Sequence, residues 1–160
     1  MAVQFLVNLF IALLWVLFID QNVFRIPTFI SGFIVGIVIV FLMRRFFDDR
    51  FYLYRLFAVI KLVAIFISET LQSAISVLKH ILSPSINIEP GIFKYETILS
   101  NEWEVTTLAL LLTLTPGSVV MEVTPAGNVF YVHAMDIKRY KGDLEQSLKR
   151  FERAIMEVSR

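Results

Sequence analysis

The stretch LTLTPGSVVMEVTPAGNVFYVHAMDI, from Leu112 to Ile137, decides the fold of the second half of the chain. It begins as the end of an apolar helix. Pro116-Gly117 stops that helix, because proline disfavours the helical conformation in the residue before it and glycine permits a tight turn. Two alternating segments follow, Ser118–Val123 and Val129–Met135, with the turn TPAGN between them. This pattern predicts a β-hairpin in a water-facing domain.

The segments on either side of the hairpin complete a small α/β domain over residues 85–160. Residues 92–99 have the composition of a strand, and residues 101–104 have the pattern of a capping box that begins a short helix. A second capping box at residues 143–146 precedes a terminal amphipathic helix. The order β-α-β-β-α predicts a ferredoxin-like α+β fold that lacks the final strand.

The first half of the chain has the composition of a membrane protein. Hydrophobic residues make up 57% of the 160 residues and charged residues only 18%. Two uncharged apolar segments, about residues 3–19 and 28–43, predict an α-helical membrane hairpin. The second is followed by RRFFDDRFYLYR at residues 44–55, whose arginines indicate a cytoplasmic face. Residues 20–25 are then expected outside, and the N-terminus inside.

Small and polar residues in the two hairpin helices predict that the helices contact each other or a neighbour. Gly32 and Gly36 have the G-x-x-x-G spacing that lets two helix backbones approach closely. Gln4 and Asn8 lie four residues apart, on one face of the first helix. Either they form hydrogen bonds with another helix, or they lie at the headgroup level.

A third helix is predicted at residues 56–82, which would complete a membrane region of residues 1–82. Five polar side chains recur along one face of this amphipathic helix: Glu69, Gln72, Ser73, Ser76 and His80. The helix either lies in the interface plane or sits deeper with its stripe against partner subunits. We expect the interfacial position, because it keeps the following domain in the cytosol. Glu69 either belongs to an ion route or pairs with a cation, its own Lys61 or a neighbour's arginine.

Composition and motifs exclude the common catalytic classes. The absence of cysteine excludes disulfides and thiolate chemistry, and the chain has no glycine-rich phosphate loop, paired catalytic carboxylates or metal-ligand spacing. No cofactor is therefore expected. No basic stripe with interleaved aromatics suggests nucleic acid. His133 is expected to be a structural imidazole in a strand, and Asp136 to cap a helix or face solvent.

Three motifs carry a resemblance to a known family. They are LTPGS at Leu114–Ser118, VVMEV at residues 119–123, and FYVHAMDI at Phe130–Ile137, behind an apolar hairpin. The chain resembles the E subunits (MrpE, MnhE, PhaE) of the Mrp-type multisubunit Na⁺/H⁺ antiporters of bacteria. The resemblance carries over a motif that is expected to form an interface with other subunits: Thr115, Pro116, Gly117, His133 and Asp136.

The resemblance implies a non-catalytic accessory subunit of a complex in the bacterial plasma membrane. The subunit itself is then a multi-pass membrane protein. That complex exchanges cytoplasmic sodium for external protons. The implied partners are the other Mrp antiporter subunits and the lipid bilayer, and the implied location of the C-terminal domain is the cytoplasm. An alternative function is a membrane-anchored α/β binding module that senses a ligand or an ion. A self-sufficient homo-oligomeric channel is disfavoured, because the two clear spans have few polar residues to line a pore.

Overall fold

The computed structural model describes residues 2–19, 25–46, 51–83 and 88–159. Two sequence expectations lie wholly or partly outside the described residues: the external loop at residues 20–25, and the cytoplasmic-face segment at residues 44–55. The chain forms two compact units, residues 1–57 and residues 58–160. The division falls within the third helix.

The first unit is built from two apolar helices that pack side by side. Helix α1 runs from Ala2 to Ile19 and α2 from Ile26 to Leu42, and a single 3₁₀ turn, Met43–Phe46, follows α2. Proline lies in the first turn of α2, where its missing N–H costs no hydrogen bond. By length and composition, the segment Ile26–Phe46 is a candidate membrane span, and α1 is a shorter apolar helix.

Helix α3 begins at Tyr52, four residues earlier than expected, and ends at Ile81. Its first turn is held by the two buried amides of α1. The backbone N–H of Tyr52 donates to Oε1 of Gln4 at 2.9 Å, and Nδ2 of Asn8 donates to the Tyr52 hydroxyl at 2.7 Å. The polar pair of α1 therefore bonds another helix of the same chain. By length and composition α3 is also a candidate span.

The second unit contains a small α/β region with five elements: β1 Gly91–Glu96, α4 Glu102–Leu114, β2 Ser118–Val123, β3 Val129–Ala134 and α5 Ile137–Ser159. The sheet order is β1-β3-β2 and both pairings are antiparallel. A bulge interrupts β2 between Val120 and Glu122. The predicted helical region followed by a small α/β region is confirmed.

The core of the second unit lies between the sheet and the helices α4 and α5. Phe93 and Tyr95 of β1 and Phe130 and Val132 of β3 point to the same side and are buried. They meet large buried side chains of α4 and α5: Leu108, Leu112, Leu148, Phe151 and Ile155. Burial of each of these apolar side chains contributes roughly 1.5–3 kcal/mol. Apolar side chains of α3 (Leu62, Ile65 and Phe66) pack against this core as well.

Two element boundaries of the α/β region differ from the prediction by several residues. Helix α5 begins at Ile137 rather than at residue 143, because Asp136 caps it: Oδ1 accepts from the Arg139 N–H at 3.2 Å. Residues 143–146 are therefore helix interior and not a capping box. Strand β1 ends at Glu96 rather than at residue 99, because the N–H of Ile98 donates to a carboxylate of α5 and leaves the ladder.

The capping box expected at residues 101–104 lacks the hydrogen bond from the Asn101 side chain, although α4 does begin there. Asn101 occupies the N-cap position with extended backbone, but its side chain makes no capping hydrogen bond. The backbone carbonyl of Asn101 accepts from the N–H of Val105 at 3.0 Å.

Candidate functional site

A cavity of about 140 Å³ lies within the second unit, between α3, the turn after α4, and α5. Its walls are the polar stripe predicted on α3, the Pro116-Gly117 turn, and polar side chains of the first half of α5. The predicted stripe of α3 and the predicted turn motif therefore lie on the same cavity. Their proximity could not be read from the sequence, in which about forty residues separate them.

Glu69 is the most buried ionisable group on this cavity, with 6% of its surface exposed. Its Oε2 accepts a hydrogen bond from the Ser147 hydroxyl at 2.5 Å, and its Oε1 pairs with Nη1 of Arg150 at 2.7 Å. A buried carboxylate needs a hydrogen-bonded counter-charge. The chain supplies this counter-charge from its own terminal helix, so the burial of Glu69 needs no bound cation.

Asp136 approaches a histidine, but the histidine is His80 and not His133. Nε2 of His80 lies 3.9 Å from Oδ2 of Asp136, and Nδ1 of His80 lies 2.9 Å from the Ser76 carbonyl oxygen. The Tyr140 hydroxyl is 3.2 Å from the same Nδ1. Asp136 is buried and caps α5 as described above.

His133 lies elsewhere in the sheet. It is half-buried on the central strand β3, opposite Ile92 of β1 and Val119 of β2. On β3 the buried positions are those of Phe130, Val132 and Ala134, so His133 belongs to the face that α4 and α5 do not cover. The structure therefore separates His133 from the other residues of the motif.

Thr115 and Ser118 close the end of α4. The Thr115 hydroxyl donates to the Leu112 carbonyl at 2.6 Å, and the Ser118 hydroxyl donates to the same oxygen at 3.2 Å. The backbone N–H of Thr115 also donates to it, at 3.2 Å. Three donors thus satisfy a carbonyl that the end of the helix would leave without an intrahelical partner.

Gly117 makes the turn that follows. Its φ is +85°, in the left-handed region that side chains other than glycine rarely adopt. Its carbonyl accepts from the N–H of Met135 at 2.9 Å, which connects the turn to the end of β3. A Cβ at Gly117 would lie 3.3 Å from a methyl group of Val77, so the turn passes close to α3.

Gly32 and Gly36 lie at the contact between α1 and α2 in the first unit, and both are buried. A Cβ added at Gly32 would lie 2.6 Å from Cβ of Trp15, and a Cβ at Gly36 would overlap the side-chain oxygen of Asn8. The helices approach so closely that neither position has room for a side chain.

The polar face of α5 that meets α3 was not predicted from the sequence. Its members are Tyr140, Asp143, Ser147, Arg150 and Glu157. They recur at intervals of three, four, three and seven residues, which is the spacing of one helix face. This spacing is the signal that could have identified the face, beside the stronger apolar periodicity of the same helix. Lys61 of α3 pairs with Glu157 at 2.7 Å, beyond the cavity.

Another buried carboxylate, Glu152, joins α5 to the end of β1. Oε1 of Glu152 accepts from the Thr97 hydroxyl at 2.5 Å and from the Ile98 N–H at 3.3 Å. Burial is the main cause that raises the pKa of Tyr95, and the Glu152 side chain raises it further. The phenol of Tyr95 therefore stays protonated at neutral pH. These contacts stabilise the fold. Among the described residues, no three His, Cys, Asp or Glu side chains are grouped to hold a metal ion.

Comparison with known protein sequences gives matches along nearly the whole chain. The family model MNHE, described as Na⁺/H⁺ ion antiporter subunit, matches residues 8–158. The chain is 44% identical over 160 residues to the E subunit of the Na(+)/H(+) antiporter of Bacillus subtilis (strain 168), and the alignment covers 100% of both chains. It is 38% identical over 157 residues to the putative antiporter subunit mnhE2 of Staphylococcus haemolyticus (strain JCSC1435), covering 98% of each.

Comparison with solved structures gives a similar fold. A chain of the membrane-bound sulfane sulfur reductase, an archaeal respiratory membrane complex, superposes with a TM-score of 0.56. The superposition covers 97% of this chain and 98% of that chain at 20% identity. At this identity the likeness concerns the fold alone.

Proposed function

This chain belongs to the family of Na⁺/H⁺ ion antiporter subunits, and from that membership we propose that it is a non-catalytic accessory subunit of a multisubunit sodium/proton antiporter. The expected resemblance to the antiporter E subunits is confirmed. The chain works in the membrane with other antiporter subunits as its partners, and supports their assembly and the exchange of sodium for protons. The ligand-sensing module is not favoured.

One observation carries this proposal: the similarity to the E subunit of an antiporter extends over both chains from end to end. A shared domain on an unrelated anchor would match over only part of its length. The chemistry of the described residues agrees with an accessory role. On the cavity, the Glu69 carboxylate is held by Ser147 and by the ion pair with Arg150, contacts that serve to join α3 to α5.

We further propose that the α/β region lies in the cytoplasm and is ferredoxin-like. The arginines that follow α2 support the orientation, because positive residues favour the cytoplasmic side of a membrane. The central position of β3 between two antiparallel neighbours supports the fold, since it is the strand order of a split β-α-β unit. Thr115, Pro116 and Gly117 are proposed to hold the turn that faces α3, and Asp136 to fix the start of α5.

The proposal is tested by purifying the tagged full chain from its native membranes in a mild detergent. Native gels and mass spectrometry then identify the proteins that remain bound. We expect a large assembly that contains antiporter subunits. A small species without such partners would overturn the accessory role, and a ligand screen on the full chain would then test the binding module.

A further inference from the structure

We propose that the part of α3 from Ala58 to Ile81 lies flat on the bilayer surface. Its polar stripe faces the α/β region and its opposite, apolar face is in contact with lipid. Length and composition alone make α3 a candidate span. The contacts of its side chains indicate instead that the helix lies on the bilayer surface.

The first step is that side chains of α3 contact α5 at three points between Lys61 and His80. Lys61 pairs with Glu157 at 2.7 Å, Glu69 pairs with Arg150 at 2.7 Å, and His80 meets Tyr140 at 3.2 Å. As the residue number rises on α3 it falls on α5, so the two helices are antiparallel. From Lys61 to His80 the helix is about 28 Å long at 1.5 Å per residue.

The second step is that α5 cannot enter the hydrocarbon core. Its exposed surface carries eight charged residues: Lys138, Arg139, Lys141, Asp143, Lys149, Arg150, Arg153 and Glu157. A charged side chain at the bilayer centre costs at least about 2.5–3.5 kcal/mol on insertion scales. Because α3 is paired with α5 from Lys61 to His80, this part of α3 also stays outside the hydrocarbon core.

The third step concerns the face of α3 that points away from α5. Aliphatic side chains recur along it and each is about half exposed: Ile60, Val63, Ile67, Leu71, Ile75 and Leu78. A continuous apolar stripe of this length is not left in contact with water. A helix with one apolar and one polar face typically buries the apolar face about 5–10 Å into the headgroup and acyl boundary.

Lipid fits this stripe better than another protein does. Protein interfaces concentrate aromatic residues and arginine at their centre, whereas all six residues of this stripe are Val, Ile or Leu. The start of α3 is also at the end of the membrane hairpin: Phe51 and Tyr52 pack against Val40, near the last turn of α2. Tyrosine and arginine, here Tyr52 and the Arg44-Arg45 pair, are typical of the headgroup level.

The natural chain has no cysteine, so single cysteines can be introduced along the stripe and spin-labelled. The tagged full chain is purified from its native membranes with its bound partners, whose reactive cysteines are replaced, and is placed in lipid nanodiscs. Accessibility to oxygen and to a water-soluble nickel chelate gives the depth of each label by EPR. The labelled variants are Ile60→Cys, Ile67→Cys, Leu71→Cys and Leu78→Cys.

We expect all four labels to be lipid-exposed at one shallow depth. A spanning helix would instead move the label through about 27 Å between positions 60 and 78, with the greatest depth near the middle. That profile would overturn the proposal. Labels shielded from both reagents would also overturn it, because they would show a protein partner on the stripe. Ile34→Cys in α2 provides the deep reference and Lys149→Cys in α5 the aqueous one.

Discussion

At the scale of single residues, Gly117 and Gly142 form a matched pair. Gly117 has φ +85° in the turn after α4, and Gly142 lies in the interior of α5 with open space where a Cβ would be. Gly117→Ala should destabilise the α/β region by about 1–2 kcal/mol, because alanine resists the left-handed region. Gly142→Ala should stabilise it by about 0.5–1 kcal/mol, because it lowers the entropy of the unfolded chain.

Native-state proteolysis of the purified complex in a urea series measures the free energy of opening of this region for each variant. The two alanines are chemically identical changes, so opposite signs identify backbone conformation as the cause. Equal effects at both positions would show that the left-handed turn is not a requirement of the fold.

At the scale of elements, the sequence predicted what its periodicities encode. Both limits of β2 were predicted because alternation begins and stops abruptly there, and the polar stripe of α3 was predicted from its helical spacing. The start of α5 was missed, because only Met135 separates the end of β3 from Asp136, and so short a connection does not mark the cap. Periodicity shows which face of α3 is polar, but only the fold shows that α5 covers it.

The ion pair between Glu69 of α3 and Arg150 of α5 gives a prediction at this scale. Glu69→Gln removes the charge that faces Arg150, and Arg150→Met removes the partner. Because Arg150 is 45% exposed and solvent screens the pair, we expect a coupling free energy of about 1 kcal/mol in a double-mutant cycle on thermal unfolding. Antiport per assembled complex should be unchanged in Glu69→Gln, because the pair is proposed to stabilise the fold.

Two outcomes would contradict this role. Additive effects of the two substitutions would mean that the ion pair contributes no stability. Loss of sodium-driven antiport in a stable, fully assembled Glu69→Gln complex would place Glu69 in the ion route. The exposed pair Lys61–Glu157 serves as the control, because a cycle of Lys61→Met and Glu157→Gln is expected to give a smaller coupling free energy.

At the scale of the whole molecule, the two compact units are expected to associate with the membrane in different ways. The first unit contains the apolar hairpin, and the second carries the aliphatic stripe of α3. Residues 58–160 produced without the hairpin should therefore bind lipid vesicles peripherally and be released by alkaline carbonate. The full chain should resist this extraction, because a helix hairpin is retained by its hydrocarbon-core contacts.

Vesicle flotation before and after the carbonate wash measures both behaviours. Leu71→Glu with Leu78→Glu in residues 58–160 is the control, since it places two charges on the stripe and should abolish flotation. Flotation of the control to the same extent would show that another surface binds the lipid.

The two outer strands of the sheet affect the tendency of the chain to aggregate before it assembles with its partners. Exposed strand edges can pair with copies of the same chain and so lead to aggregation. Here β1 and β2 are only six residues each, β1 carries the exposed ion pair Lys94–Glu96, and the bulge distorts β2. Short length, charge and bulges each oppose edge-to-edge pairing. A newly made copy of the chain is therefore expected to resist edge-to-edge pairing with other copies before it assembles.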